Sequence, residues 1–214
     1  QEIADSVDIT LELGHRHFPV YAPPEDKTSE DYLRELCYKG LRERYADDPR
    51  RCVDGELSEE VVARLERELG VINKQGFPNY FLIVWDVVRF AREVGIEATA
   101  RGSGVGSLVC YALYLSHVCP LEYDLLFERF LDENRLEAPD IDIDFEKERR
   151  GAVLQYVKDK YGTANVAQIG TFGTLAARAS VRDTGRALGM PIARVDSVVA
   201  KVPEELKITL AKAL

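Results

Sequence analysis

Apolar positions along this chain recur mostly at intervals of three and four, with short stretches of strict alternation between them. Tyr32, Leu33, Leu36, Cys37 and Leu41 keep the period of an amphipathic helix. Thr28 and Ser29 stand before them as N-caps with acidic residues in the first turn, and Asp47-Asp48-Pro49 breaks the pattern. Ser58-Glu59-Glu60 opens a second helix, with Val61, Val62, Leu65 and Leu69 on one face and Gly70 as its end. Gly76-Phe77-Pro78-Asn79 reads as a turn. Tyr80 to Val94 is a third helix, with room for a short strand before it, stopped by Gly95. Ile96 to Ala100 and Val166 to Ile169 read as short strands, and Leu108 to Leu115 as an apolar helix. Pro120 to Phe130 is a loop with a short helix. Arg149 to Tyr161 is a helix closed by Gly162, and Thr174 to Leu188 is one closed by Gly189 and Pro191. Residues 192–214 hold a further helix and the start of another. Residues 1–27, with Pro19, Pro23 and Pro24, are expected to form an extended linker from a preceding domain. The mixture of helices and short strands predicts an α+β architecture.

Pro139-Asp140-Ile141-Asp142-Ile143-Asp144-Phe145 departs most from that background. A period of two puts all three carboxylates on one face of a strand. Like charges spaced about 7 Å apart repel, and a hard divalent cation such as Mg²⁺ relieves that repulsion through oxygen ligands. The alternative is a solvent-facing strand with coincidental aspartates.

Arg101-Gly102-Ser103-Gly104-Val105-Gly106-Ser107 lies between a strand and a helix. Glycines there allow positive φ and close approach of a ligand. N–H groups at the following helix start are expected to hold a phosphate, with Arg101 adding charge and Ser103 and Ser107 adding hydroxyl donors. No Lys-Ser/Thr follows, so this is not a Walker A loop. The alternative is a glycine-rich helix start that packs closely on a sheet.

Composition adds limits. The 214 residues are 46% hydrophobic and 30% charged, within the usual range for a soluble globular protein. No apolar run approaches the roughly 18 residues of a membrane span, and no signal peptide is recognisable. The chain opens on Gln1, and a piece of a longer protein is expected. Cys37, Cys52, Cys110 and Cys119 show no CxxC spacing and read as reduced thiols of a cytoplasmic protein. His15, His17 and His117 form no metal-ligand motif; His15 and His17 read as a surface pair. The net charge of −9 is uneven: residues 1–70 carry −8, residues 71–145 carry −6 and residues 146–214 carry +5. An acidic total argues against nonspecific nucleic-acid binding by the whole surface. A basic end beside an acidic cluster fits a division between phosphate holding and metal holding, though chance asymmetry is the plainer account.

Taken together, the Gly-Ser helix start and the Asp-apolar-Asp strand resemble the nucleotidyltransferases related to polymerase beta. In-line displacement of pyrophosphate needs both a two-metal clamp and phosphate donors. The likeness is closer to the bacterial C-family replicative DNA polymerases, the polymerase III alpha subunits. It rests on Gly76 to Trp85, Arg101 to Val109, Pro120 to Phe130, Pro139 to Phe145 and Thr171-Phe172-Gly173-Thr174, which are similar to that family's palm signatures. Ala176 to Gly189 resembles the start of its thumb.

The resemblance implies a polymerase beta-like palm over residues 28–171, a mixed sheet with flanking helices, and a truncated helical thumb over 172–214. It implies that Asp140 and Asp142 are catalytic and hold two Mg²⁺ ions, with Asp144 as support that orients a basic neighbour. Gly102 and Ser103, with Arg101, would bind the nucleotide triphosphate. Arg129 and Arg135, which precede the acidic strand, are candidates for the same role, with surface ion pairs as the alternative. Arg178, Arg182 and Arg186, spaced by four on one helix face, would track primer-template DNA. The activity implied is DNA-directed DNA polymerisation from dNTPs. Other replicase subunits would bind through regions outside this chain, in the cytoplasm and without a membrane. Thr99-Ala100 stand where the family has Gly or Pro-Gly. The family's third catalytic aspartate lies on a strand beyond the thumb, so the chain is expected to be inactive alone. A noncatalytic nucleotide-, metal- and DNA-binding module and a small-substrate nucleotidyltransferase are the other readings.

Overall fold

The helical periodicity becomes three long helices in unit Gln1–Val166, one of two units into which the chain divides; the other is Ala167–Leu214. The structure, a computed structural model, describes residues 19–24, 26–132, 139–205 and 208–213. Arg135, His15 and His17 therefore lie outside the described residues.

Helix α1 spans Ser29–Arg44, and the Thr28 side chain accepts the Asp31 N–H as its cap. A two-stranded hairpin follows, β1 (Cys52–Val53) against β2 (Glu56–Leu57), turning on Asp54 (φ 50°) and Gly55 (φ 81°). Asp-Gly is the sequence signal for such a turn. Helix α2 spans Glu59–Lys74, capped by Ser58. Gly70 does not end it. That glycine is exposed, and the helix runs through it because Val71 and Ile72 behind it are buried. Helix α3 spans Pro78–Glu93, with no strand before it. Pro78 fills the first helical position, where its missing N–H costs nothing.

Strand β3 (Ala98–Arg101) leads into a 3₁₀ turn, Gly102–Gly106, and a five-residue helix α4 (Leu108–Ala112). This helix is shorter than the apolar run to Leu115 suggested. Strand β4 (Asp142–Phe145) pairs antiparallel with β3, placing Arg101 opposite Asp142 and Thr99 opposite Asp144. Helix α5 (Arg150–Tyr161) ends at Gly162, which has φ 90°. The mixed α+β class holds, with far more helix than sheet.

The core lies among α1, α2, α3 and α4 and includes the fully buried Leu33, Leu41, Leu65, Ile72, Phe81, Leu82 and Leu108. Each such side chain is worth about 1.5–3 kcal/mol of removal from water. Gly40 lets α1 meet α4: a Cβ there would overlap the Ala112 carbonyl oxygen. Tyr21, in the proline-flanked segment, stacks on Tyr32 at 6.2 Å, and its N–H donates to Asn79 Oδ1 at 3.0 Å. Between α3 and α5, the buried Asp86 carboxylate takes Lys160 Nζ at 2.6 Å, Arg89 at 2.9 Å and the Tyr156 hydroxyl at 2.9 Å.

The second unit holds α6 (Ala177–Ala187), α7 (Ile192–Val199) and α8 (Leu210–Ala213). Val195 packs so closely on Gly185 that a Cβ there would clash with it. The expected strand at Val166 to Ile169 does not form. Those residues have no regular structure, and Ile169 is 97% exposed. An apolar run becomes a strand only where another strand offers its edge, and none among the described residues pairs with this one.

Candidate functional site

Asp142 and Asp144 share one face of β4, while Ile141, Ile143 and Phe145 pack against the core on the other. The period of two therefore sorts these residues as expected. Asp140 is exposed but lies before the strand begins. The segment between Asp140 and Asp142 is fixed by the Ile141 N–H, which donates to the Tyr80 hydroxyl at 3.2 Å. Burial raises the Tyr80 pKa, the bond from Ile141 opposes the rise, and the charges of Asp140 and Asp142 add to it. Tyr80 also begins a row of edge-to-face rings that runs through Phe81 and Phe130 to Phe127. The row supports both the acidic segment and the 3₁₀ turn Phe127–Arg129.

Arg101 bridges two of the acids. Its Nη1 lies 3.2 Å from Asp142 Oδ2, and its Nε donates to Asp144 Oδ1 at 3.3 Å. The residue after it, Gly102, has φ 70°, in the left-handed region that favours glycine. A Cβ on Gly102 would lie 3.8 Å from Asp142 Oδ2. The start of the glycine loop and the acidic strand are thus neighbours.

From Gly102 the loop forms one wall of a cavity of about 530 Å³. Gly102, Ser103 and Gly106 line that wall, and Asp124, Leu125 and Arg129 line the other. Gly102, Ser103 and Arg129, expected from the resemblance to meet the triphosphate, line this one cavity, and Ser103 and Arg129 are exposed; Arg101, expected with them, is not among its lining residues. Asp124 adds a carboxylate there and holds a positive φ of 48°, a conformation that Asp tolerates better than most residues. No sequence pattern marked it.

The far end of the loop differs from expectation. The N–H groups at the start of α4 are not open to a phosphate, because Glu68 of α2 occupies them. Its carboxylate accepts the Leu108 N–H at 2.9 Å, the Val109 N–H at 3.0 Å and the Ser107 hydroxyl at 2.9 Å. Ser107 is itself fully buried and caps Cys110, so it is no phosphate donor. The anion at this helix start is the protein's own. Burial raises the Glu68 pKa against the opposing pull of these donors and of Arg64, whose Nε donates at 2.6 Å. Of the loop residues named as phosphate donors, Gly102 and Ser103 line the cavity.

Hard oxygen donors suit Mg²⁺, and Asp142 is 42% exposed, as a carboxylate that takes a cation must be. Among the described residues, however, no group of three or more His, Cys, Asp or Glu side chains gathers to hold a metal. The four cysteines are free and buried, and burial pushes the Cys110 thiol up to about 12, far from reactive.

In the second unit, Arg178, Arg182 and Arg186 lie along α6 as their spacing predicts. Each has an acidic partner: Arg178 pairs with Glu204, Arg182 with Asp196 at 3.5 Å and Arg186 with Asp183 at 3.2 Å. Among the described residues, no helix is long and apolar enough to cross a membrane.

The family described as Bacterial DNA polymerase III alpha NTPase domain matches residues 31–214. The chain is 48% identical, over all of its length, to the DNA polymerase III subunit alpha of Halalkalibacterium halodurans. It is 44% identical over 99% of its length to the subunit of the same name from Bacillus subtilis and 45% identical over 99% to that from Escherichia coli K12. It spans 18% of the length of each of these relatives.

Proposed function

The chain belongs to the bacterial DNA polymerase III alpha family, and on that premise we propose that it forms the nucleotide-binding part of a DNA-directed DNA polymerase. The observation that carries this reading is the closeness of Gly102 to Asp142: a Cβ on this glycine, which lines the 530 Å³ cavity, would lie 3.8 Å from Asp142 Oδ2. In this reading residues 28–171 are the first part of a polymerase beta-like palm, and residues 172–214 are the start of a thumb.

Gly102 and Ser103 hold the β- and γ-phosphates of a dNTP from one wall, and Arg129 approaches from the other. Asp140 and Asp142 are the ligands this chain offers to two Mg²⁺ ions. When bound, those ions neutralise the triphosphate and lower the pKa of the primer 3′-hydroxyl. Arg101, which bridges Asp142 and Asp144, would keep a positive charge beside a bound triphosphate. Asp144 keeps Arg101 in reach. Tyr80 holds the Asp140–Asp142 segment in place through Ile141. Arg178, Arg182 and Arg186 track the duplex backbone; their ion pairs are at least partly exposed and therefore weak, so DNA phosphates can displace the acids. Other replicase subunits dock elsewhere on the longer protein, which works in the cytoplasm.

In this reading the 214-residue chain binds nucleotide without polymerising. Primer extension tests both halves. Asp140→Ala or Asp142→Ala in the full-length polymerase abolishes extension, and the isolated chain extends no primer. A full-length Asp142→Ala enzyme that still extends would overturn the first half. Extension by the isolated chain, lost on Asp142→Ala, would overturn the second.

A further inference from the structure

We infer that Arg64 is a positioning residue for the triphosphate cavity: its guanidinium ties the two walls together and sets the distance across which Gly102, Ser103 and Arg129 face one ligand. This inference rests on the nucleotide reading of the cavity given above.

Arg64 does not line the cavity. It lies on α2, behind both walls, with 15% of its side chain exposed. One nitrogen, Nη2, donates to the Gly106 carbonyl at 2.9 Å and to the Leu125 carbonyl at 2.9 Å. Gly106 closes the glycine-loop wall, and Leu125 belongs to the opposite one. The guanidinium is itself aimed by Glu68, which is fully buried and also holds the start of α4 through Ser107, Leu108 and Val109. Three segments remote in sequence are thus fixed by one planar group.

Gly106 is an independent sign that the walls are meant to meet here. A Cβ on it would lie 2.9 Å from the Leu126 carbonyl oxygen, so any larger residue forces the walls apart. A second tie between α2 and the Arg129 turn, Arg67 to Glu128 at 2.8 Å, is about half exposed on both sides and contributes little. Arg64 is the group that hydrogen-bonds to both walls at once. Lysine cannot replace it: a flexible ammonium does not serve two carbonyls and a carboxylate with the fixed planar fork of a guanidinium. A misplacement of about 1 Å by a change far from the chemistry can cost a reaction about 100-fold in rate.

Calorimetric titration of inorganic tripolyphosphate and dATP into the chain, with thermal unfolding of each variant in parallel, tests this. Arg129→Ala and Ser103→Ala examine the cavity; Arg64→Lys and Gly106→Ala examine its spacing. The expected result is about a tenfold or greater rise in Kd for Arg64→Lys per folded molecule, with binding stoichiometry retained. Gly106→Ala weakens binding in the same direction while Arg64 is intact. A purely structural Arg64 would lower the unfolding temperature and leave Kd unchanged in the folded fraction. That outcome in Arg64→Lys, or in Gly106→Ala should Arg64→Lys not fold, overturns the inference. No binding by the unaltered chain, or binding indifferent to Arg129→Ala and Ser103→Ala, overturns the nucleotide reading instead.

Discussion

Arg101 stands opposite Asp142 in the β3–β4 pairing, with its Nη1 3.2 Å from the Asp142 carboxylate. The contact neutralises the acid most intimately joined to the glycine loop, and it competes with any cation for the same oxygen. Arg101→Ala is therefore expected to tighten Mg²⁺ binding to the chain by up to about fivefold, equivalent to ~1 kcal/mol for an exposed pair. The same variant is expected to weaken triphosphate binding, because a positive charge next to Gly102 is lost. Titrations of Mg²⁺ and of dATP read the two opposite effects.

Tyr80 joins the acidic segment to the aromatic row beneath it through a hydrogen bond from the Ile141 N–H. Tyr80→Phe keeps the ring and removes the acceptor. The expected cost is ~1 kcal/mol of stability, since the Ile141 N–H loses its partner. The Mg²⁺ concentration for half-maximal extension by the full-length polymerase rises with it, because Asp140 and Asp142 flank the released residue. Denaturant unfolding and Mg²⁺-dependent extension check the two effects.

Asp86 gives the fold a pH dependence with a definite sign. Burial acts to raise its pKa, but hydrogen bonds from Lys160, Arg89 and Tyr156 outweigh it, and the net shift is downward. A depressed folded-state pKa contributes stability that is fully present above the unfolded value of about 4 and is lost as pH falls through the lower folded value. For Lys160, burial opposes the charge, yet Asp86 and Tyr156 raise its pKa. Its share is present below about pH 10 and is lost as pH rises through the raised value. Asp86→Asn is expected to cost about 3 kcal/mol at neutral pH, through two cations left near an uncharged amide. It also flattens the acid limb of a plot of unfolding temperature against pH.

Duplex binding by the second unit is expected to depend steeply on salt. Each phosphate neutralised contributes a slope of about 0.9 in log K against log salt. Replacing both Arg182 and Arg186 by Ala lowers that slope by about 2 without altering sequence preference. Binding measured across a salt series checks this, and a salt-independent affinity would contradict it.

The legible parts of the chain were those decided locally. The Thr28 and Ser58 caps, the apolar stripes of α1 to α3 and the stops at Gly95, Gly162 and Gly189 were all present in neighbouring residues. The face shared by Asp142 and Asp144 followed from the strand period alone. What failed was decided at a distance. Val166 to Ile169 has the composition of a strand, but pairing is supplied by other segments. Gly70 looked like a stop, and the burial of Val71 and Ile72 by the rest of the fold overrode it. Glu68 and Arg64 read locally as ordinary charges on a helix surface. Their burial is set by residues 106–109 and 125, some forty and sixty positions later. That is why the sequence pointed to the start of α4 as the anion site, although the chain had already filled it with its own carboxylate.

Titration of dATP in the presence of Mg²⁺ against the 214-residue chain tests most directly whether the glycine loop and the acidic strand form one nucleotide site. Saturable one-to-one binding is predicted, lost in Asp142→Ala and weakened in Arg129→Ala while both variants unfold cooperatively. Absence of binding, or binding indifferent to both substitutions, would contradict the account.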